Sequence, residues 1–343
     1  MKSSKFSTVM KWIGYGTAIL SLVAGVTEVG KMVSEHLATG RKIDTLLSAE
    51  VVQLKGQDYG PAWQSLEQAA QIDPDSAPVK AAQETLAMDW LDNIHARENE
   101  TFTDVAAKVE PVLTRGVASE KSPARQADML AHVGWSYFLR SREGNFGLDP
   151  TGPYAEAVKK DPNNPYAQAM WGHWILWNQG NIAEAEGHFA SAVLSHREQN
   201  YVRQLQLSAL MNVHEDPYDE EVVRVANAIR KEQGSIDPPT RKRIFSTIYY
   251  FRMLPVRGST PAFISAVPPA DHVATFRWLF DTLELDDSQA PLRSYYLCAL
   301  QEAAGQRDAA LAGLKQIQQK IAGRSGSLLN AVEAGIKRLS GPA

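Results

Sequence analysis

The stretch GNIAEAEGHFASAV, Gly180 to Val193, decides the fold. Ala185, Phe189 and Ala192 follow at steps of four and three, so they share one face of a helix. Small, large, small on one face predicts a helix packed closely against a neighbour. Similar punctuation occurs twice elsewhere. AAQIDPDSAP, Ala69 to Pro78, matches AVKKDPNNPY, Ala157 to Tyr166, each with an Asp-Pro after the alanine. Pro74 and Pro162 cannot continue a helix and mark its end. Asn164 followed by Pro165 then reads as an N-cap with proline at the first helical position. One helix ends, a few residues pass, and another begins.

The composition agrees. Of 343 residues, 44% are apolar and 22% charged, enough for a large core, and no long alternating run of β-branched residues appears. This predicts an all-α protein. The single cysteine, Cys298, excludes an intramolecular disulfide and any cysteine-based zinc site. The net charge of −4 hides an asymmetry. Residues 1–42 carry Lys2, Lys5, Lys11, Lys31, Arg41 and Lys42 against Glu28 and Glu35, leaving an acidic remainder. An acidic body argues against nucleic acid as a partner, because phosphate binding needs concentrated Lys and Arg. The run TRKR, Thr240 to Arg243, reads as a solvated helix start.

In these residues the chain resembles the tetratricopeptide repeat (TPR) family. Its unit of roughly 34 residues is a pair of antiparallel helices with small residues where they touch. Gly180, Ile182, Ala185, Phe189 and Ala192 fit its second-helix pattern, as do Tyr59, Ala62, Leu66, Ala69 and Pro74. Gly305, Ala310 and Leu314 follow it too, with Leu297 and Cys298 on the preceding helix. Val133, Gly134 and Tyr137 fit a first helix, followed by Tyr154, Ala157 and Pro162. His173 falls where the family usually carries Gly or Ala. The resemblance implies an all-α, TPR-like helical-repeat solenoid of antiparallel helix pairs.

The expected organisation has four parts. Residues 1–42 hold an anchor helix and juxtamembrane segment, and residues 43–198 hold TPR-like repeats. Residues 199–289 hold degenerate helical repeats with a Pro-rich loop at 255–270. Residues 290–343 hold a last repeat and an amphipathic capping helix. Helices are also expected near 77–97, 101–118 and 271–285, the second containing Pro111.

WIGYGTAILSLVAGVT, Trp12 to Thr27, contains no charge. It predicts a single transmembrane helix, with the membrane contacted through residues 12–29 and Trp12 and Tyr15 at one interface. A cleaved signal peptide and a buried helix are the alternatives. The lysines before the segment place the N-terminus in the cytoplasm by the positive-inside bias. The expected location is therefore a bacterial inner membrane, single-pass, with the repeat domain periplasmic and the cytoplasmic face as the alternative.

No phosphate loop, His-Glu-x-x-His helix, nucleophile elbow or Cys-x-x-Cys pair is present. His188 and His196 would lie about 12 Å apart along one helix, too far to share a metal. HEDPYDEE, His214 to Glu221, lacks calcium-loop spacing. Neither catalytic residues nor a metal or other cofactor is expected. The conspicuous feature is MWGHWILWN, Met170 to Asn178, with three tryptophans on one helix. First helices line the groove in TPR proteins. The resemblance therefore places Met170, Trp174, Trp177 and Asn178 there, with Trp135 and Phe138 from the preceding unit. Indole rings offer large contact area and one N–H donor, which suits a peptide. Packing between helices is the competing use of these rings. The family's carboxylate clamp is absent, since its Lys and Asn positions carry Met, Trp and Ala. The expected function is a membrane-anchored scaffold that binds a protein or peptide partner in its groove. A homo-oligomeric structural element and an enzyme accessory with a site in 199–290 are the alternatives.

Overall fold

Asp-Pro punctuation and capping residues cut the chain into short helices that cover most of it. The computed structural model describes residues 37–94, 101–144, 147–212, 216–250 and 264–341, and no strand occurs among them. The chain forms two units, one ending at Glu120 and the other beginning at Lys121.

In the first unit a helix, α1, runs over residues 37–55. It is followed by α2 (Tyr59–Ile72), α3 (Ala77–Asp92) and α4 (Phe102–Ser119). Ile43 of α1 packs with Ala69 of α2 and Val79 of α3. Ser65 Oγ donates to Gln53 Oε1 at 3.0 Å, tying α1 to α2. Thr101 and Asp104 form a reciprocal capping box that starts α4. The helix continues through Pro111, whose missing N–H leaves a gap in the ladder. Pro111 is exposed, while Val105, Val109, Val112 and Leu113 of the same helix are buried.

The second unit contains α5 (Pro123–Arg142), α6 (Thr151–Lys160), α7 (Pro165–Gln179), α8 (Ile182–Leu194), α9 (Gln199–Leu210) and α10 (Asp216–Lys231). Next come α11 (Pro238–Ile244), which continues as a π-helical segment Phe245–Tyr250, and α12 (Pro269–Phe280). The unit closes with α13 (Gln289–Ala303), α14 (Arg307–Lys320) and α15 (Ser327–Ser340). From α5 to α10 the contacts follow one rule. Each helix touches the next, and α5, α7 and α9 also touch in succession. The turn between α7 and α8 is only Gly180-Asn181, with Gly180 in the left-handed region at φ 66°. Asn181 caps α8 by accepting from the Glu184 amide. Pairing across that turn is antiparallel: Gln168 meets His188, and further along α7 Gly172 meets Ala185.

These helix pairs approach through glycine. A Cβ on Gly134 of α5 would lie 2.5 Å from Cε1 of Tyr154 on α6. A Cβ on Gly172 of α7 would lie 3.1 Å from the Ala185 carbonyl oxygen and from Cε2 of Phe189 on α8. Ala185, Phe189 and Ala192 are fully buried, as the opening stretch predicts. The close approach in α7 falls on Gly172, one residue before His173.

Further along, α10 packs on α12 and α12 on α13, with the π-helical segment against α13. Phe245, Tyr249, Phe276, Phe280 and Tyr296 form a buried aromatic core. The Tyr249 hydroxyl lies 2.9 Å from His272 Nε2, which accepts from it, while His272 donates to the Ile264 carbonyl. Of the expected loop 255–270, residues 255–263 lie outside the described residues, and α12 begins at Pro269. It ends at Phe280, short of 285, where residues 281–282 form a turn.

The expected inner-membrane placement with a periplasmic body is corrected here. Among the described residues no helix is long and apolar enough to cross a membrane. The stretch Trp12–Thr27 that carried the expectation, and the contact through 12–29, lie outside the described residues.

Alanine at Gly134 is expected to lower stability by about 2 kcal/mol through overpacking against Tyr154. Gly187, in the interior of α8, has nothing within 4 Å of an added Cβ. Gly187→Ala should instead raise stability by about 0.5 kcal/mol by lowering the entropy of the unfolded chain. Urea midpoints of the two variants against the parent check both signs.

Candidate functional site

The helices that carry the tryptophans are held at both ends. At their starts, Asn164 caps α7 by accepting from the Ala167 amide at 3.0 Å. Its Nδ2 donates to Asp128 Oδ1 on α5 at 2.7 Å. Arg197, just before α9, donates to both oxygens of Asp128, at 3.3 and 3.0 Å. Asp128 and Asn164 are buried, so this carboxylate is neutralised by one cation and one amide. His132 on α5, Tyr166 on α7 and Tyr201 on α9 pack in sequence as tilted rings, with centroids 4.7 and 5.2 Å apart. The starts of α5, α7 and α9 therefore lie side by side, and the three helices run the same way.

At their far ends α5 and α7 meet through aromatic rings. Trp135 and Phe138 contact each other at 4.8 Å, and both stand edge-on to His173, at 5.1 and 5.0 Å. Phe138 also takes the edges of Trp174 at 6.0 Å and Trp177 at 5.7 Å. These T-shaped geometries satisfy the ring quadrupoles. The guanidinium of Arg142, one helical turn beyond Phe138, sits 5.8 Å from the Trp177 centroid on the cation–π side.

Exposure divides the six residues expected to line a groove. Met170 and Phe138 are buried, and Trp135 is 8% exposed. Trp174 is half-buried. Trp177 is 47% exposed and Asn178 is exposed. Trp135, Phe138, Trp174 and Trp177 form one ring cluster, while Met170 faces the packed interior. The cluster is thus a buried base of Trp135, Phe138 and His173 with Trp177 standing on it at the surface. Leu194, also exposed, is the other large apolar side chain in this unit that faces solvent, among the described residues.

Sequence reasoning missed His173 and Arg142. His173 is buried, and its Nδ1 has no hydrogen-bond partner. Burial pushes its imidazole down to about 3, and the nearby Arg142 charge pushes the same way. It is therefore a neutral aromatic ring at working pH, used for its edge. Arg142 is the last residue of α5. Its spacing of four from Phe138 was the available signal.

The chemistry offered elsewhere is limited. Among the described residues no group of three His, Cys, Asp or Glu side chains could hold a metal. Cys298 is buried, and burial raises its thiol to about 11, so it is a poor nucleophile. His188 lies 2.6 Å from Gln168 Oε1, a hydrogen bond inside the α7–α8 pair.

No family model matches the chain, and no curated protein matches it. Among solved structures, a tetratricopeptide repeat protein from Parabacteroides merdae is similar over 88% of this chain and 100% of its own, at 12% identity and a TM-score of 0.40. The helix-pair architecture rests on the contacts described above.

The histidines give a pH signature. His173 and His272 are depressed by burial to about 3 and about 4, below the ordinary value of 6.5, and burial lowers His188 too. The unfolded chain therefore takes up these protons first. The stability they protect is complete above about pH 6.5 and is lost as pH falls from there toward the folded values. His173→Phe keeps an aromatic ring without the titration. It should flatten the fall in urea midpoint between pH 6.5 and pH 4, measured against the parent.

Proposed function

We propose that this chain is a TPR-like helical scaffold that binds a protein or peptide partner at the far ends of α5 and α7. The observation that carries this reading is Trp177: a tryptophan 47% exposed, braced edge-on by buried Phe138 and covered on one side by Arg142. Tryptophan and arginine dominate binding hot spots because they combine large contact area with directional donors. A ring already held by its neighbours loses little rotamer freedom on binding, which removes part of the cost of association. Trp174, half-buried beside it, and Asn178, exposed at the next position, extend the surface with an indole and a carboxamide. The residues expected to line a groove then act in two layers. Trp177, Asn178 and Trp174 meet the partner, and Trp135, Phe138 and Met170 support them. The small residues at Gly134, Gly172 and Ala185 support the TPR reading, as does contact between successive first helices.

The two layers separate by mutation. Phe138→Ala should cost about 4 kcal/mol of stability, whereas Trp177→Ala should cost roughly 1 kcal/mol and leave the helical circular dichroism unchanged. A photo-crosslinking amino acid at position 178 should capture a distinct protein from cell extract. The same capture should fall about tenfold or more when Trp177 is also changed to alanine. Equal capture by the folded Trp177→Ala protein would rule out this surface as the docking site.

A further inference from the structure

We propose that the groove between α13 and α14 is a second docking site, and that it receives an acidic peptide segment. The groove encloses about 590 Å³ and is remote in sequence from the aromatic cluster. Two helix faces build it. Ala290, Ser294 and Leu297 recur at helical spacing on α13, and Ala309, Ala312 and Gln316 do so on α14. The α14 wall is cut back because Ala309 and Ala312 are small and exposed. Gly313 allows no side chain, since a Cβ there would come within 2.5 Å of Cys298 Sγ. Leu297, Cys298 and Ile317 give the groove an apolar floor.

Charge in the groove is gathered at one end. The turn between α13 and α14 spans residues 304–306, so the two helices are antiparallel. The start of α13 and the end of α14 therefore share an end, where Arg293, Lys320 and Arg324 line the groove against the single carboxylate Asp287. Arg293 is engaged, donating to the carbonyls of Phe280 and Asp281. The side chains of Lys320 and Arg324 are exposed, and no hydrogen bond or ion pair holds either side chain among the described residues. Elsewhere in this unit Arg197, Arg203, Arg224, Arg230 and Arg338 are each paired with a carboxylate. An unpaired Arg and Lys at the mouth of an apolar groove complement carboxylates carried on a segment that also has apolar side chains. Along the walls, Gln301 and Gln316 line the groove with carboxamides, while the Ser294 hydroxyl donates to the Ala290 carbonyl and keeps only its acceptor capacity. A carboxamide offers both a donor and an acceptor and so matches a peptide group. A polyanion such as nucleic acid fits less well, because the net charge of −4 repels it and only two cations are free at this end.

The test is fluorescence anisotropy on the full chain with a labelled peptide of Ser, Leu and Glu. A counterpart in which Gln replaces every Glu is the control. The acidic peptide should bind saturably, and added salt should weaken it because the pairs are solvent-accessible. Changing Lys320→Glu together with Arg324→Glu should lower its affinity about tenfold or more, and Lys320→Gln with Arg324→Gln should lower it less. Ala312→Trp, which fills the groove from an exposed position, should abolish binding without lowering the thermal midpoint. Trp177→Ala should leave this binding unchanged, so the result stands apart from the aromatic surface. Equal affinity for the Gln peptide, indifference to the charge changes, or no saturable binding overturns the proposal. Self-association of the chain that Ala312→Trp abolishes would assign the groove to a second copy and also overturn it.

Discussion

The close approach of paired helices at glycine is the constraint on which the rest depends. Interaxial distance depends on the side chains at the contact, so helix axes come closest where one is missing. At Gly134 that space is filled by the ring of Tyr154, and at Gly172 by Phe189 and the backbone of Ala185. The consequence is rotational as well as radial. With Gly172 turned toward α8, His173 must point about 100° away around α7, and so it meets Trp135 and Phe138 of α5. The small residue that seats one helix thus aims the neighbouring ring at another. The aromatic cluster is a product of pair packing and needs no separate device to assemble it.

A second constraint sets how far one pair slides along the next. Apolar packing alone tolerates sliding, because methyl groups accept many neighbours. Asp128 does not. A buried carboxylate left without Asn164 and Arg197 would carry a desolvation cost of several kcal/mol. Its partners sit at the starts of α7 and α9, so one residue fixes the level of three parallel helices. With their starts level, the far ends of α5 and α7 arrive together. There Phe138 takes the edges of Trp174 and Trp177. A similar tie recurs further on, where Arg224 joins Glu221 of its own helix to Glu186 of α8. These half-buried ion pairs penalise misaligned arrangements, because a charge left without its partner would be costly there.

Much of the helix-pair order was legible because it depends on local rules. Asn164-Pro165 and Gly180-Asn181 announce helix boundaries whatever surrounds them, and Ala185, Phe189 and Ala192 repeat at helical spacing. The side of α7 that carries the close contact was not legible to within one residue. A family pattern gives the period of a helix but not its rotation, and Gly172 and His173 are adjacent. Nor could spacing show that Met170 is buried while Trp177 is exposed. Both lie on the same face, and the difference arises from where α5 ends against α7. The π-helical segment Phe245–Tyr250 was read only as off-pattern helix. Within it Tyr249 packs among Phe276, Phe280 and Tyr296, a neighbourhood assembled from residues far away in sequence that no local pattern announces.

The neutral histidine in the cluster shows why such a surface can be both apolar and well ordered. A phenyl ring at position 173 would pack as well and would leave no nitrogen without a partner. An unpartnered Nδ1 costs roughly 1–3 kcal/mol. The imidazole stands edge-on to Trp135 and Phe138 at about 5 Å from each. The rings below Trp177 are consequently locked by contacts on several sides, and Arg142 adds a charge to one side of the exposed indole. On the proposed reading, a partner meeting this surface would find its anchor already oriented. The ring of Trp177 is held on folding, by burial of the residues beneath it, so little rotamer entropy would remain to be lost on binding. Burial beneath and exposure above are two halves of one arrangement: the packing that hides Met170 and Phe138 is what leaves Trp177 ordered at the surface.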